Sequence, residues 1–151
     1  MNRMGRRAAA ATTAGVCALL VGCSPLPSFD QLEWESRAAA QAIADHLPPG
    51  TEVEDRSTGE EGPCGRGTAS YTQHWVSYPE PPFDGEEFIA TLVRELPDEF
   101  DVFETGVTMS DPNLSLSYRG MTIGVIVEDD QGEPIVDILA ISRCGLPPED
   151  E

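Results

Sequence analysis

A chain of 151 residues with a formal charge of −18 is long enough for one domain with a sizeable core. It is too acidic to suit a phosphate backbone, which argues against nucleic-acid binding. Its nine basic residues are all arginine, and Arg3, Arg6 and Arg7 precede every acid.

The N-terminus has the three parts of an export signal. MNRMGRR is positive, AAAATTAGVCALLVG is small and apolar, and VGCS is a zone of small residues. The apolar part, residues 8–22, would be about 22 Å long as a helix. Crossing a bilayer takes about 20 residues, so a cleaved signal (residues 1–22) is expected over an uncleaved anchor helix. Arg6-Arg7 raises the twin-arginine export route, but Ala8-Ala9-Ala10 follow it. Without residues 1–22, six arginines face 27 acids, or −21. Anionic headgroups would repel that chain, so membrane contact must come from something other than surface charge.

Leu20-Val21-Gly22-Cys23 resembles the lipobox of bacterial lipoproteins. In that family the cysteine thiol is thioether-linked to diacylglycerol, and the signal is cut before it. The acylated cysteine becomes the new N-terminus. Val21 and Gly22 supply the small residues that the peptidase needs. The resemblance implies that Cys23 is lipidated, with acyl chains such as palmitate. It implies a domain held on the extracytoplasmic face of the cell membrane. Two acyl chains anchor far more firmly than one. The alternative is ordinary export with Cys23 left as a thiol.

Cys17 would leave with the signal and Cys23 would carry the lipid. Cys64 and Cys144 then remain, outside the reducing cytosol, with one intramolecular pairing available. A disulfide is expected. A metal pair or redox thiols would want CxxC spacing or a nearby histidine, and neither is present; two free thiols are the last alternative.

Residues 23–28, with Pro25 and Pro27, form a short extended tether. The domain is expected over residues 29–145. The first helix is predicted over residues 30–47. Asp30 and Glu33 make a capping-box pattern, with Phe29 and Trp34 as its staple. Leu32, Ala39, Ile43 and Leu47 share its inner face, and Pro48-Pro49-Gly50 stops it. His46 stands in its last turn, where a positive charge suits the dipole. Residues 51–58 read as a polar edge strand and 59–62 as a loop. CGRGTAS, glycine-rich, continues that loop.

Residues 67–78 alternate as a strand. Ala69, Tyr71, Gln73 and Trp75 share one face; Thr68, Ser70, Thr72, His74 and Val76 share the other. A second helix is predicted from Asp84, with Glu87 completing another capping box, to about Leu96. Its apolar stripe comprises Phe88, Ile89, Leu92, Val93 and Leu96. Strands follow at 100–109, 114–118, 121–128 and 134–142, with DDQGE as a hairpin connection. The C-terminal strands are the most apolar and should be central. The class is α+β, order α-β-β-α-β-β-β-β: two helices on one face of a mainly antiparallel sheet of about five or six strands. Residues 146–151 form a solvated acidic tail.

Motifs for chemistry are sparse. There is no G-x-S-x-G elbow and no phosphate-binding loop, since lysine is absent. His46 and His74 lie on different elements, so no metal cluster is expected, and no cofactor. The acidic runs at 52–55, 60–61, 86–87, 128–133 and 148–151 fail the EF-hand spacing. They read as solvated surface, with weak calcium association as the alternative. A spatial pair of carboxylates, as in glycoside hydrolases, would leave no local trace. Tyr71, His74, Trp75 and Tyr78 on one strand are the sole recognition-like constellation: a groove for a peptide or glycan, or aromatic core.

The missing lysine, the lipobox and the α-β-β-α-β layout with one disulfide resemble small actinobacterial lipoproteins, including the mycobacterial LppA-like ones. That resemblance carries over one residue, Cys23. The leading expectation is a non-catalytic envelope module binding an unknown protein or glycan, and the alternative is an extracytoplasmic carboxylate-based hydrolase.

Overall fold

The computed structural model describes residues 25–58, 61–65, 67–105 and 109–148. Cys23 and the signal-like segment lie outside these residues. The fold is α+β. The elements run α1 (Phe29–Ala44), β1 (Glu52–Asp55), β2 (Glu61–Gly65), β3 (Thr68–Tyr78), α2 (Gly85–Glu95), β4 (Phe100–Val102), β5 (Asn113–Tyr118), β6 (Met121–Asp130) and β7 (Glu133–Ile141).

All strand pairings are antiparallel, in the order β1-β3-β7-β6-β5-β4, with β2 also on β3. The apolar strands β6 and β7 lie in the middle, as their composition predicts. Their hairpin turns on two residues, Gln131 and Gly132, with φ of 60° and 90°. Both angles lie in the left-handed region, the geometry of a tight turn matched to strand twist.

One face of the sheet is covered. Gln73, Trp75 and Ser77 of β3 stand opposite Ala140, Ile138 and Val136 of β7. Ile123, Val125 and Val127 of β6 continue the rows. These side chains are buried, and the apolar ones form one core with Ala39, Ala40 and Ile43 of α1 and Phe88 and Leu92 of α2.

Local details differ from the sequence expectation. Helix α1 is capped by Ser28, whose side chain accepts from the Gln31 N–H at 3.2 Å; Asp30 sits in its first turn. Starting there leaves Leu32, Ser36, Ala39 and Ile43 facing inward and Trp34 outward, so Trp34 is no staple. The helix ends at Ala44, and Leu47 is buried just beyond it. Ser28→Ala should cost about 1 kcal/mol; urea unfolding of the two proteins checks it, with unchanged midpoints counting against Ser28 as the cap.

Strand β2 forms where a loop (59–62, then CGRGTAS) is predicted, so the sheet among the described residues has seven strands. Of the predicted strand 100–109, Phe100–Val102 pair with β5 and the Phe103 N–H donates to the Ser115 carbonyl at 3.0 Å; residues 106–108 lie outside the described residues. On α2, Asp84 caps and accepts from the Glu87 N–H at 3.0 Å. Phe88 and Leu92 are buried and Val93 is exposed, a narrower stripe than its spacing predicts.

The tether is shorter than expected, because Pro27 belongs to the fold. Its carbonyl accepts from the Leu146 N–H at 2.8 Å. A Cβ on Gly145 would stand 2.6 Å from that carbonyl oxygen and 2.8 Å from Leu32 Cδ1, so only glycine fits there. Cys64 and Cys144 stand at disulfide distance, Cα to Cα 5.7 Å, 80 positions apart. They join β2 to the segment after β7.

Candidate functional site

The four aromatic and histidine side chains of β3 do not form one groove. Tyr71 and Trp75 are buried on the helix-covered side, Trp75 at 8% exposure within the core. Tyr71 packs edge-on against Phe29, centroids 5.6 Å apart. Strand alternation sends only His74 and Tyr78 to the other side, so the expected groove is corrected to those two positions.

That other side is the uncovered face of the sheet, where β3 presents Thr72, His74, Val76 and Tyr78. Across the β3–β7 register His74 faces Leu139 and Val76 faces Asp137. Across β1–β3, Val76 faces Glu54 and Tyr78 faces Glu52. The strand period also sets Arg56, just past β1, on this side. Arg56 Nη2 donates to Glu54 Oε2 at 2.8 Å and to Tyr78 Oη at 2.6 Å. Tyr78 Oη donates to Glu54 at 3.3 Å. His74 Nε2 lies 2.9 Å from Asp137 Oδ2.

Five polar groups therefore ring Val76, which is buried although it sits on the open face. The Arg56 guanidinium holds the Glu54 carboxyl below its usual range, with Tyr78 adding to the effect. Glu54 in turn raises Arg56. Beside this ring lie exposed Leu139 and Ile141, at 37% and 41%. The patch offers a guanidinium fork, carboxylate acceptors, an imidazole and an aliphatic surface. Such a set suits hydrogen bonding to an extended or polyhydroxylated partner.

Beneath β3 the polar chemistry is internal. Gln73 Nε2 donates to Asp55 Oδ1 at 3.0 Å and to the Ser57 hydroxyl. Burial pushes the Asp55 carboxyl up, but Ser57, Trp75 and Gln73 beside it outweigh that and hold it low. The Trp75 indole reaches Asp55 electrostatically, yet its Nε1–H forms no hydrogen bond of ordinary geometry; Ser36 Oγ, Gln73 Oε1 and Ser77 Oγ are likewise unpaired. Burial, with Glu33 adding to it, raises Tyr71.

A second concavity of about 340 Å³ lies where α1 ends against the start of α2. His46, Pro48, Phe83, Asp84, Glu87 and Thr91 are among its lining. His46 Nδ1 is 3.8 Å from Glu95 Oε2. Asp84 already serves the α2 cap. Among the described residues, no three His, Cys, Asp or Glu side chains converge as a metal site.

No helix among the described residues is long and apolar enough to cross a membrane. No family model, curated protein or solved structure matches the chain. The open face was invisible to motif reading because its members come from β1, β3 and β7. The alternation of β3 was the one available signal, and it sorted the residues into two sides without saying which side the helices cover.

Proposed function

We propose that the protein is a lipid-anchored envelope protein, tethered through Cys23, that displays the uncovered sheet face as a binding surface. The observation that carries this reading is Leu20-Val21-Gly22-Cys23 at the end of a signal-like segment. The fold is consistent with it. A disulfide suits an oxidising compartment. Pro27, four positions after Cys23, is already part of the domain, so an acylated Cys23 would hold the fold directly at the membrane. On the open face, His74, Asp137, Arg56, Glu54 and Tyr78 offer polar recognition next to Leu139 and Ile141.

A radiolabelled fatty acid fed to expressing cells should label wild type and leave Cys23→Ala unlabelled. The variant should move from the membrane fraction to the soluble one. Equal labelling or equal partition would sink the reading. The second reading, a carboxylate-based hydrolase, is favoured by one observation, that Asp84 and Glu87 both line the 340 Å³ concavity. A glycosidase of that kind requires both carboxylates, so hydrolysis of a glycoside panel that survives Glu87→Gln would remove it.

A further inference from the structure

We infer that the end of the domain carrying Leu26, Trp34 and Leu146 seats on the lipid bilayer, so that the strands stand up from the membrane and the open face looks sideways. The inference rests on lipidation of Cys23 and adds an orientation to it. The occupant is the headgroup and upper acyl region of the bilayer itself.

The first ground is chain length. Cys23 is three peptide steps from Leu26, which spans at most about 10 Å even when fully extended. Whatever surrounds the acyl chains is therefore also close to Leu26 and to Leu146, whose N–H is bonded to Pro27. The second ground is what this end exposes. Leu26 and Leu146 are 49% and 48% exposed. Trp34, at 66%, is the most exposed large apolar side chain described. It stands five residues into α1 from Phe29, about 7.5 Å along the axis. Its side chain leans back toward the helix start. Tryptophan is enriched at membrane–water interfaces, and Trp34 stands on the outer side of α1, away from the sheet.

The third ground is the distribution of charge. Strand register puts this end together with the start of β3, the end of β7 and the β5–β6 turn. Arg119 sits in that turn over the Tyr118 ring, 5.3 Å from its centroid, and Arg143 lies nearby. The acids here are Asp30 and Glu33 on α1, Glu35 paired with Arg143, Glu61 opposite Tyr71, and Asp98 and Glu99 before β4, and Glu149, Asp150 and Glu151 follow Leu146 in the sequence. The opposite end carries Glu128, Asp129, Asp130 and Glu133 in the β6–β7 hairpin. Glu80, Asp84, Glu86 and Glu87 lie past the far end of β3. β7 runs from Glu133 to Ile141, about 27 Å. Arg119 and Arg143 give this end two guanidinium groups to meet anionic headgroups, and residues 128–134 of the hairpin have no basic side chain.

The test uses the full lipidated chain reconstituted in phosphatidylcholine–phosphatidylglycerol vesicles, with and without brominated acyl chains. Trp75 is buried in the core, so the difference between wild type and Trp34→Phe isolates Trp34. Bromolipid should quench the Trp34 component, and its emission on vesicles should lie at shorter wavelength than in solution. Aqueous acrylamide should quench it less on vesicles than in detergent-free solution of Cys23→Ser. Leu26→Glu with Leu146→Glu, both on exposed positions, should restore acrylamide access while flotation with vesicles persists. If wild type floats through Cys23 but Trp34 keeps full acrylamide access and no bromolipid quenching, the seated end is overturned and the anchor stands. If flotation is unchanged in Cys23→Ser, the anchoring itself is overturned and the orientation falls with it.

Discussion

Replacing Cys64 and Cys144 together by serine is expected to destabilise the protein by about 3–5 kcal/mol. An 80-residue loop removes about 4–5 kcal/mol of chain entropy from the unfolded state in the simple model, and measured effects often fall short. For a domain of this size each kcal/mol moves the melting point about 3–4 °C, so a fall of about 10–20 °C should appear. The loss should be uneven. β2 reads EGPCG, with two glycines and a proline in five residues, a composition that disfavours strand. Its pairing with β3 leans on the bridge to Cys144, so amide exchange in β2 should accelerate before the β6–β7 hairpin does. Identical melting with and without reductant would refute the role assigned to the disulfide.

Glu35→Gln should cost about 2–4 kcal/mol at neutral pH. Glu35 is buried on α1, and both its carboxylate oxygens accept from Arg143, with Gln31 adding a bond at 2.9 Å. Arg143 also donates to the Arg119 carbonyl at 3.1 Å, so one guanidinium ties α1, the β5–β6 turn and the segment after β7. Removing one member of a buried pair leaves the other charge uncompensated. Arg143 keeps some contact with water, which holds the expected loss toward the lower side of that range.

The pH dependence has a definite sign. The Arg143 hydrogen bonds lower the Glu35 pKa from its ordinary 4.5, against the opposing effect of burial. Its contribution is therefore complete above the ordinary value and is lost as pH falls through the lower folded value. Urea midpoints for wild type and Glu35→Gln should converge as the medium is acidified from neutral. A constant gap would mean that the pair is not what Glu35 contributes.

Much of the layered architecture could be read from residue periodicity. β5 alternates as LSLSY with Leu114 and Leu116 buried, and Phe88 and Leu92 repeat at helical spacing; each pattern has one buried side, and burial decided the outcome. β2 was illegible because nothing in EGPCG favours a strand until β3 and the disulfide hold it. The run 100–109 has strand composition, but its ladder with β5 covers Phe100–Val102. The open-face patch was illegible for another reason. His74 finds Asp137 and Tyr78 finds Arg56 only through strand register, and register follows the hairpins and the packing of α1 on β3. Glu35 likewise looked like an ordinary polar helix position, since its partner lies 108 residues away.

The outermost strand β1 has a consequence of its own. Glu52, Val53, Glu54 and Asp55 are all exposed, and three of the four are acids. A bare strand edge recruits other strands, and carboxylates of one sign deter that. The opposite border, β4, is only three residues long and offers little to extend. Neither of these two borders gives crowded copies a ready edge along which to zip into a continuous sheet, and at these edges neighbouring molecules would stay a population of separate ones.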